Sequence, residues 1–202
     1  MTAGPAVDRA KITGLVLAAG ESSRMGRDKA LLDYRGRTFL ETIILKLVEA
    51  GLERVIVVLG HHAEDIQRTV DLAAAEVMVN RNYLDGQTSS LQTGLAVLDR
   101  TDTGPDAIIL CLVDHPAFQP ATVCALIEEF DRSASRVIIP TYEGWRGHPV
   151  LIARPLFAPL LALPPDQGAN TAIRASRCRT VDVPDPGILV DVDDPETYRA
   201  LE

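Results

Sequence analysis

Short apolar runs alternate along this chain with stretches whose apolar residues recur at helical spacing, the pattern of an α/β fold with a largely parallel sheet. Ile12–Ala18 predicts a first strand. Phe39, Leu40, Ile43, Ile44, Leu47 and Val48 mark a helix, opened by a Thr38/Glu41 capping box and closed by Gly51. A strand over Arg54–Leu59, a helix over Ala63–Val70 and a shorter strand over Ala75–Val79 follow, and Leu91, Leu95 and Leu98 line a helix entered through Thr88, Ser89 and Ser90. Asp106–Val113 predicts another buried strand, and a helix from about Pro120 turns Val123, Leu126, Ile127 and Phe130 inward. Arg136–Pro140 and His148–Ala153 read as strands around TYEGWRG, Leu156–Leu163 and Ala169–Ser176 as helices, and VDVPDPGILVDV as two short strands about a turn.

No repeat, low-complexity tract or linker divides the pattern, so one domain is expected over residues 11–202, with a flexible N-terminus at 1–10. With 202 residues and 47% of them hydrophobic, the chain can bury one sizeable core. A net charge of −8 argues against binding nucleic acid through a broad basic face, so any anionic ligand must be met locally. Three cysteines without C-x-x-C spacing, no apolar leader and no membrane-length apolar run point to a cytoplasmic protein with no membrane partner.

Local positive charge is densest in LAAGESSRMGRDK, directly after the first strand. A glycine turn between strand and helix can aim backbone N–H groups at phosphate oxygens, and Arg24 and Lys29 add the cations a triphosphate needs. Gly20-x5-Gly26-Arg-Asp-Lys29 lacks the P-loop spacing, and AAGESS lacks the dinucleotide-binding G-x-G-x-x-G, so a different nucleotide fold is required. Asp114 sits at the carboxyl end of a buried strand, where open α/β sheets bind ligands, and there it can hold Mg²⁺. Asp194, before Pro195, reads as a helix N-cap. Asp193 and, on the same face by strand alternation, Asp191 are further carboxylates. His61 and His62 read as a solvated turn without a metal-ligand partner at useful spacing.

LAAGESSRMGRDKALL resembles the signature of nucleotidyltransferases with the nucleotide-diphospho-sugar transferase fold, and within them the molybdenum cofactor cytidylyltransferases. NRNYLDGQTSSLQTGL, LVDHP, RGHPVL and VDVDDPETY resemble the later motifs in the same order. The resemblance implies a Rossmann-like three-layer sandwich with a mostly parallel mixed sheet. It also implies Mg²⁺-dependent attack of a phosphate-bearing substrate on the α-phosphorus of CTP or GTP, with release of pyrophosphate. A phosphate monoester is already mostly ionised at neutral pH, so positioning and charge neutralisation carry the reaction.

On that resemblance Arg24, Lys29 and Asp114 are the catalytic residues, and Asp114 and Asp193 the metal ligands, with Asp191 left open. Leu17, Ala18, Ala19, Gly20, Ser22, Ser23, Ser89, Ser90 and Gly94 join Arg24 and Lys29 around the nucleotide; Ser89 and Ser90 could equally be N-cap residues. His115, Arg146, Gly147, His148 and Pro149 face the second substrate, a molybdopterin-type cofactor destined for a molybdenum hydroxylase apoenzyme; His148 could instead be a hydrogen-bonded residue at the start of a strand. Relatives often carry Gln at the position of His115 and Arg at that of Asn170. LAAG, rather than LAGG, is the form of pyrimidine-using relatives and favours CTP. A sugar- or polyol-phosphate nucleotidyltransferase and a non-catalytic cofactor carrier are the alternatives.

Overall fold

The first strand, β1 (Ile12–Ala18), is buried along its whole length, as a strand covered on both faces must be. Its residues sort with period two: Ile12, Val16 and Ala18 enter one core and Leu15 and Leu17 the other. The computed structural model describes residues 11–99, 104–133, 135–164, 167–174, 176 and 178–201. The N-terminus expected to be flexible lies outside them.

After β1 comes a two-stranded hairpin, β2 (Asp33–Tyr34) and β3 (Arg37–Thr38), absent from the sequence expectation. It leads into α1 (Phe39–Glu49), where both hydrogen bonds of the Thr38/Glu41 capping box are present. Next come β4 (Arg54–Leu59), α2 (Ala63–Thr69), β5 (Glu76–Val79), α3 (Gln87–Asp99), β6 (Ala107–Leu112) and α4 (Pro120–Arg132), the last with proline in its first turn. The chain continues through β7 (Val137–Tyr142), β8 (Trp145–Arg146), β9 (Val150–Ala153), α5 (Phe157–Leu161), α6 (Asn170–Arg174), β10 (Cys178–Asp182) and α7 (Pro195–Leu201). Of the helix expected over Ala169–Ser176, Ala175 lies outside the described residues.

The main sheet runs β10-β7-β9-β6-β1-β4-β5, with β8 paired to β7. The pairs β1–β4, β1–β6, β4–β5 and β7–β10 are parallel, whereas β9 runs antiparallel between β6 and β7. Helices α1, α2 and α4 cover one face through Leu40, Ile43, Leu47, Ile66, Val123 and Leu126. Helices α3 and α5 cover the other through Leu91, Leu95, Leu98, Phe157 and Leu160. The result is a three-layer sandwich with a mostly parallel mixed sheet, the architecture that the resemblance implied. No helix among the described residues is long and apolar enough to cross a membrane.

One expected strand is missing. In VDVPDPGILVDV only Val181 and Asp182 pair, as the end of β10; Pro186–Leu189 forms a 3-10 turn, and residues 190–193 are irregular. The backbone bonds locally instead: Val190 N–H donates to Gly187 O (3.2 Å) and Val192 N–H to Asp114 O (2.9 Å).

Candidate active site

The parallel strands β1, β4 and β6 end at one edge of the sheet, and the loops leaving that edge build the site. The opening loop is shaped by its own polar groups: Met25 N–H donates to Ser22 O (2.9 Å), and Lys29 N–H donates to Ser22 Oγ (3.0 Å). A small apolar cluster fixes it in space. Met25 packs with Leu32, Tyr34 of the hairpin, Phe39 of α1 and Val192 of the C-terminal segment. One buried knot therefore delivers Arg24, Lys29 and Asp193 together, although Asp193 is far away in sequence.

Their charges meet. Lys29 Nζ lies 2.6 Å from Asp193 Oδ1 and 3.3 Å from Asp114 Oδ2, and Arg24 Nη2 lies 3.0 Å from Asp193 Oδ2. The Lys29 side chain is only 11% exposed, that of Arg24 73%, so the first charge is enclosed by the site and the second stands at its solvent side. The bond from Lys29 is the main reason that the Asp193 carboxyl is held below the usual carboxylate range, with Arg24 adding to it. Asp114 Oδ1 is buried with no hydrogen-bond partner. Asp114, His115 and Asp191 each bring a ligand atom within 4.8 Å of the others, and an orphaned carboxylate oxygen in such a group suits a divalent cation that completes its shell with phosphate and water.

These groups line a cavity of about 280 Å³. Leu17, Ala19, Gly20, Ser22, Ser23, Arg24 and Lys29 form one wall and Ser90 part of another; Asp114 and Asp193 close it. Tyr83, Gly86, Gln87, Leu112 and Val113 also line it and were not singled out beforehand, though each falls in or beside a quoted motif. Ala18, Ser89 and Gly94 are not among the lining residues. Gly94 has a packing role instead: a Cβ there would approach Leu15 Cδ1 to 2.5 Å, so the glycine seats α3 on β1. Ser89 and Ser90 lie within the first turns of α3 rather than before it. Buried Asn80, unremarked in the sequence, donates to both hydroxyls (2.8 and 3.0 Å).

The second half of the site lies across Asp114. His115 Nε2 stands 3.9 Å from both Asp114 Oδ1 and Asp191 Oδ2, and its ring centroid is 4.7 Å from that of His148. With no strand over 190–193, the expectation of a shared Asp191/Asp193 face fails: Asp193 turns to Lys29 and Asp191 to His115. Burial, with Asp114 and Asp193 adding, raises the Asp191 carboxyl above its usual range against the opposing pull of His115. His148 N–H donates to Ile188 O (3.0 Å), and a Cβ on Gly147 would sit 2.2 Å from the same oxygen, so only glycine permits this approach. Pro149 follows His148 through a cis peptide. Arg146 and Trp145, the latter 72% exposed, form the outer hairpin strand β8. Asp194 Oδ1 accepts from Glu196 and Thr197 N–H (3.0 and 2.8 Å), the N-cap expected of it.

His61 and His62 do have a partner: Asp28, from the opening loop, reaches both rings, and sequence spacing could not reveal a contact between separate loops.

Comparison with known proteins places this geometry. Nicotine blue oxidoreductase of Paenarthrobacter nicotinovorans is 31% identical over 94% of the chain and 96% of its own. The molybdenum cofactor cytidylyltransferase of Escherichia coli is 22% identical over 91% and 92%. The crystal structure of Rv0371c from Mycobacterium tuberculosis superposes with a TM-score of 0.79 at 32% identity, covering 94% of this chain and 96% of that one; a manganese complex of Rv0371c is also known. The model of the MobA-like NTP transferase domain matches residues 14–181, most of the chain and every loop that lines the cavity except the C-terminal one, and the protein therefore belongs to that family of nucleotidyltransferases.

Proposed function

We propose that residues 11–202 form one nucleotidyltransferase domain that moves CMP from CTP to the phosphate of a molybdopterin-type cofactor. In this reaction a phosphate oxygen of the acceptor attacks the α-phosphorus, a new P–O–P bond forms, and the bond to the β-phosphate breaks to release pyrophosphate. The observation that carries the reading is the half-buried Lys29 ammonium shared by Asp114 and Asp193 at the mouth of a glycine-lined cavity. Lys29 and Arg24 neutralise the triphosphate and the charge that grows on departing pyrophosphate, and the loop N–H groups orient it. A divalent ion, Mg²⁺ in this proposal, would be held by Asp114 and Asp193 and would supply charge screening at the phosphates. His115, Gly147, His148 and Pro149 face the acceptor. GTP is the second choice of nucleotide, since guanylyltransferases are among the relatives.

Pyrophosphate release is the direct test, because one relative bears the name of an oxidoreductase. With Mg²⁺ and molybdopterin, CTP is expected to yield pyrophosphate faster than GTP, ATP or UTP. Lys29→Ala should lower kcat by ~10²–10³-fold, the loss typical for one preorganised charge-stabilising donor. Pyrophosphate from GTP alone would reassign the nucleotide, and none from any pair would leave a carrier.

A further inference from the structure

The turn after β4 is pressed flush against the opening loop. A Cβ on Gly60 would lie 2.7 Å from Ala19 O, and the next residue, His61, donates its N–H to that same oxygen (3.1 Å). His62 then takes a left-handed backbone (φ 49°, ψ 31°), which folds its side chain back beside that of His61, with ring centroids 3.7 Å apart. Asp28 arrives from the far end of the opening loop and presents one oxygen to each ring. Oδ1 lies 3.6 Å from His61 Nδ1, and Oδ2 lies 2.9 Å from His62 Nδ1.

A hydrogen bond accounts for the contact with His62 but not for His61. Its Nδ1 is buried without a hydrogen-bond partner, and 3.6 Å is too long for one. That separation is, however, close to the ~3.3 Å between two ligand atoms of a tetrahedral ion with bonds of about 2.0–2.1 Å. One ligand atom from each of the three residues lies within 4.8 Å of the others.

We propose that Asp28, His61 and His62 form a binding site for a divalent transition-metal ion such as Zn²⁺, separate from the carboxylates at the phosphates, which clasps the opening loop to the end of β4. Two imidazoles and one carboxylate select Zn²⁺, Co²⁺ or Ni²⁺ over Mg²⁺, which prefers oxygen ligands and keeps its water. Three protein ligands leave a fourth position for solvent. The clasp adjoins the cavity on two sides. Asp28 precedes Lys29 directly, and the ring of Tyr83, which lines the cavity, packs edge-on to His61 at 5.8 Å.

The test needs neither nucleotide nor acceptor, so it stands apart from the transferase reading. Full-length Asp114→Asn/Asp193→Asn protein, stripped of metal, is titrated with ZnCl₂ by calorimetry and with CoCl₂ by visible absorption. One equivalent is expected to bind, with the absorption of nitrogen-ligated Co²⁺. Adding His61→Gln and His62→Gln should weaken binding by at least ~10-fold, the lower bound for losing even an outer-sphere partner of a metal ligand. The same His pair changed in the wild-type background should lose the spectral component seen with the Asp114→Asn/Asp193→Asn protein, while its thermal melt without metal stays cooperative. Unchanged affinity and spectrum after both His substitutions, or no uptake by the carboxylate-to-amide protein, would overturn the proposal.

Discussion

Lys29 shares one ammonium between two carboxylates, and it is the main reason that the Asp193 carboxyl lies below its usual range. Asp193, bonded to it, is held ionised, whereas burial pushes the Asp191 carboxyl the other way, with Asp114 and Asp193 adding and His115 and Lys29 opposing. The clearest pH signature belongs to His148. Burial, with His115 beside it, lowers its pKa to about 4 from 6.5, against a smaller opposing pull from Asp114. The folded protein thus keeps this imidazole neutral where the unfolded chain already takes up a proton. Stability is unaffected above about pH 6.5 and declines as pH falls toward about 4, by up to about 2 kcal/mol at pH 5. Urea melts at pH 7 and pH 5 should show that decline in the parent and a smaller one in His148→Asn; equal declines would refute the assignment.

Asp185 shows how an element can be held by something distant from it. Helix α4 starts at Pro120 without a side-chain cap of its own from Gln119. The buried Asp185 carboxylate takes that role from across the fold, accepting from Gln119 N–H (2.7 Å), Thr122 Oγ1 (2.6 Å) and Gly187 N–H (3.0 Å). Asp185→Ala is expected to cost about 1–3 kcal/mol by leaving buried donors unpaired, measured by chemical denaturation. Turnover should fall with it, because the same segment carries Ile188 and Asp193 toward the site; a variant of parental stability would contradict this role. Elements whose own residues carry the pattern were legible even where their partners are distant: β1, β4 and α1, with its Thr38/Glu41 box, stand where periodicity and capping put them. A segment fixed by single contacts to other loops was not. The alternation in VDV mimics a strand, but the tail is committed to Asp114 O and to the knot around Val192, and no sheet edge receives it. Site residues followed the same division. Arg24, Lys29 and Asp114 stand out by local charge and position. Asn80 works through a contact that no spacing encodes, as does the pairing of Asp28 with the two histidines.

For the whole molecule, the cavity lies where the parallel strands end, so a nucleotide would bridge loops from β1, β6 and the C-terminal tail. Such a ligand binds the folded chain alone and stabilises it by about 2.7 kcal/mol at a hundred times its Kd, roughly 5–10 °C in Tm for a chain of this length. CTP with Mg²⁺ should give that shift in a thermal melt, and Asp114→Asn should reduce it; equal shifts in both proteins would argue against a metal role for Asp114. The reversed strand β9 has a different consequence. Because it runs against β6 and β7, its beginning rather than its end reaches the reactive edge, and His148 arrives there with it. The segment from Thr141 to Val150 leaves and returns through that one edge as a single excursion, tied to the C-terminal segment by the bond from His148 N–H to Ile188 O. On the proposed function, in which this hairpin faces the acceptor, a scaffold wired in this way would let lineages that inherit one nucleotide chemistry part company over what they attach it to.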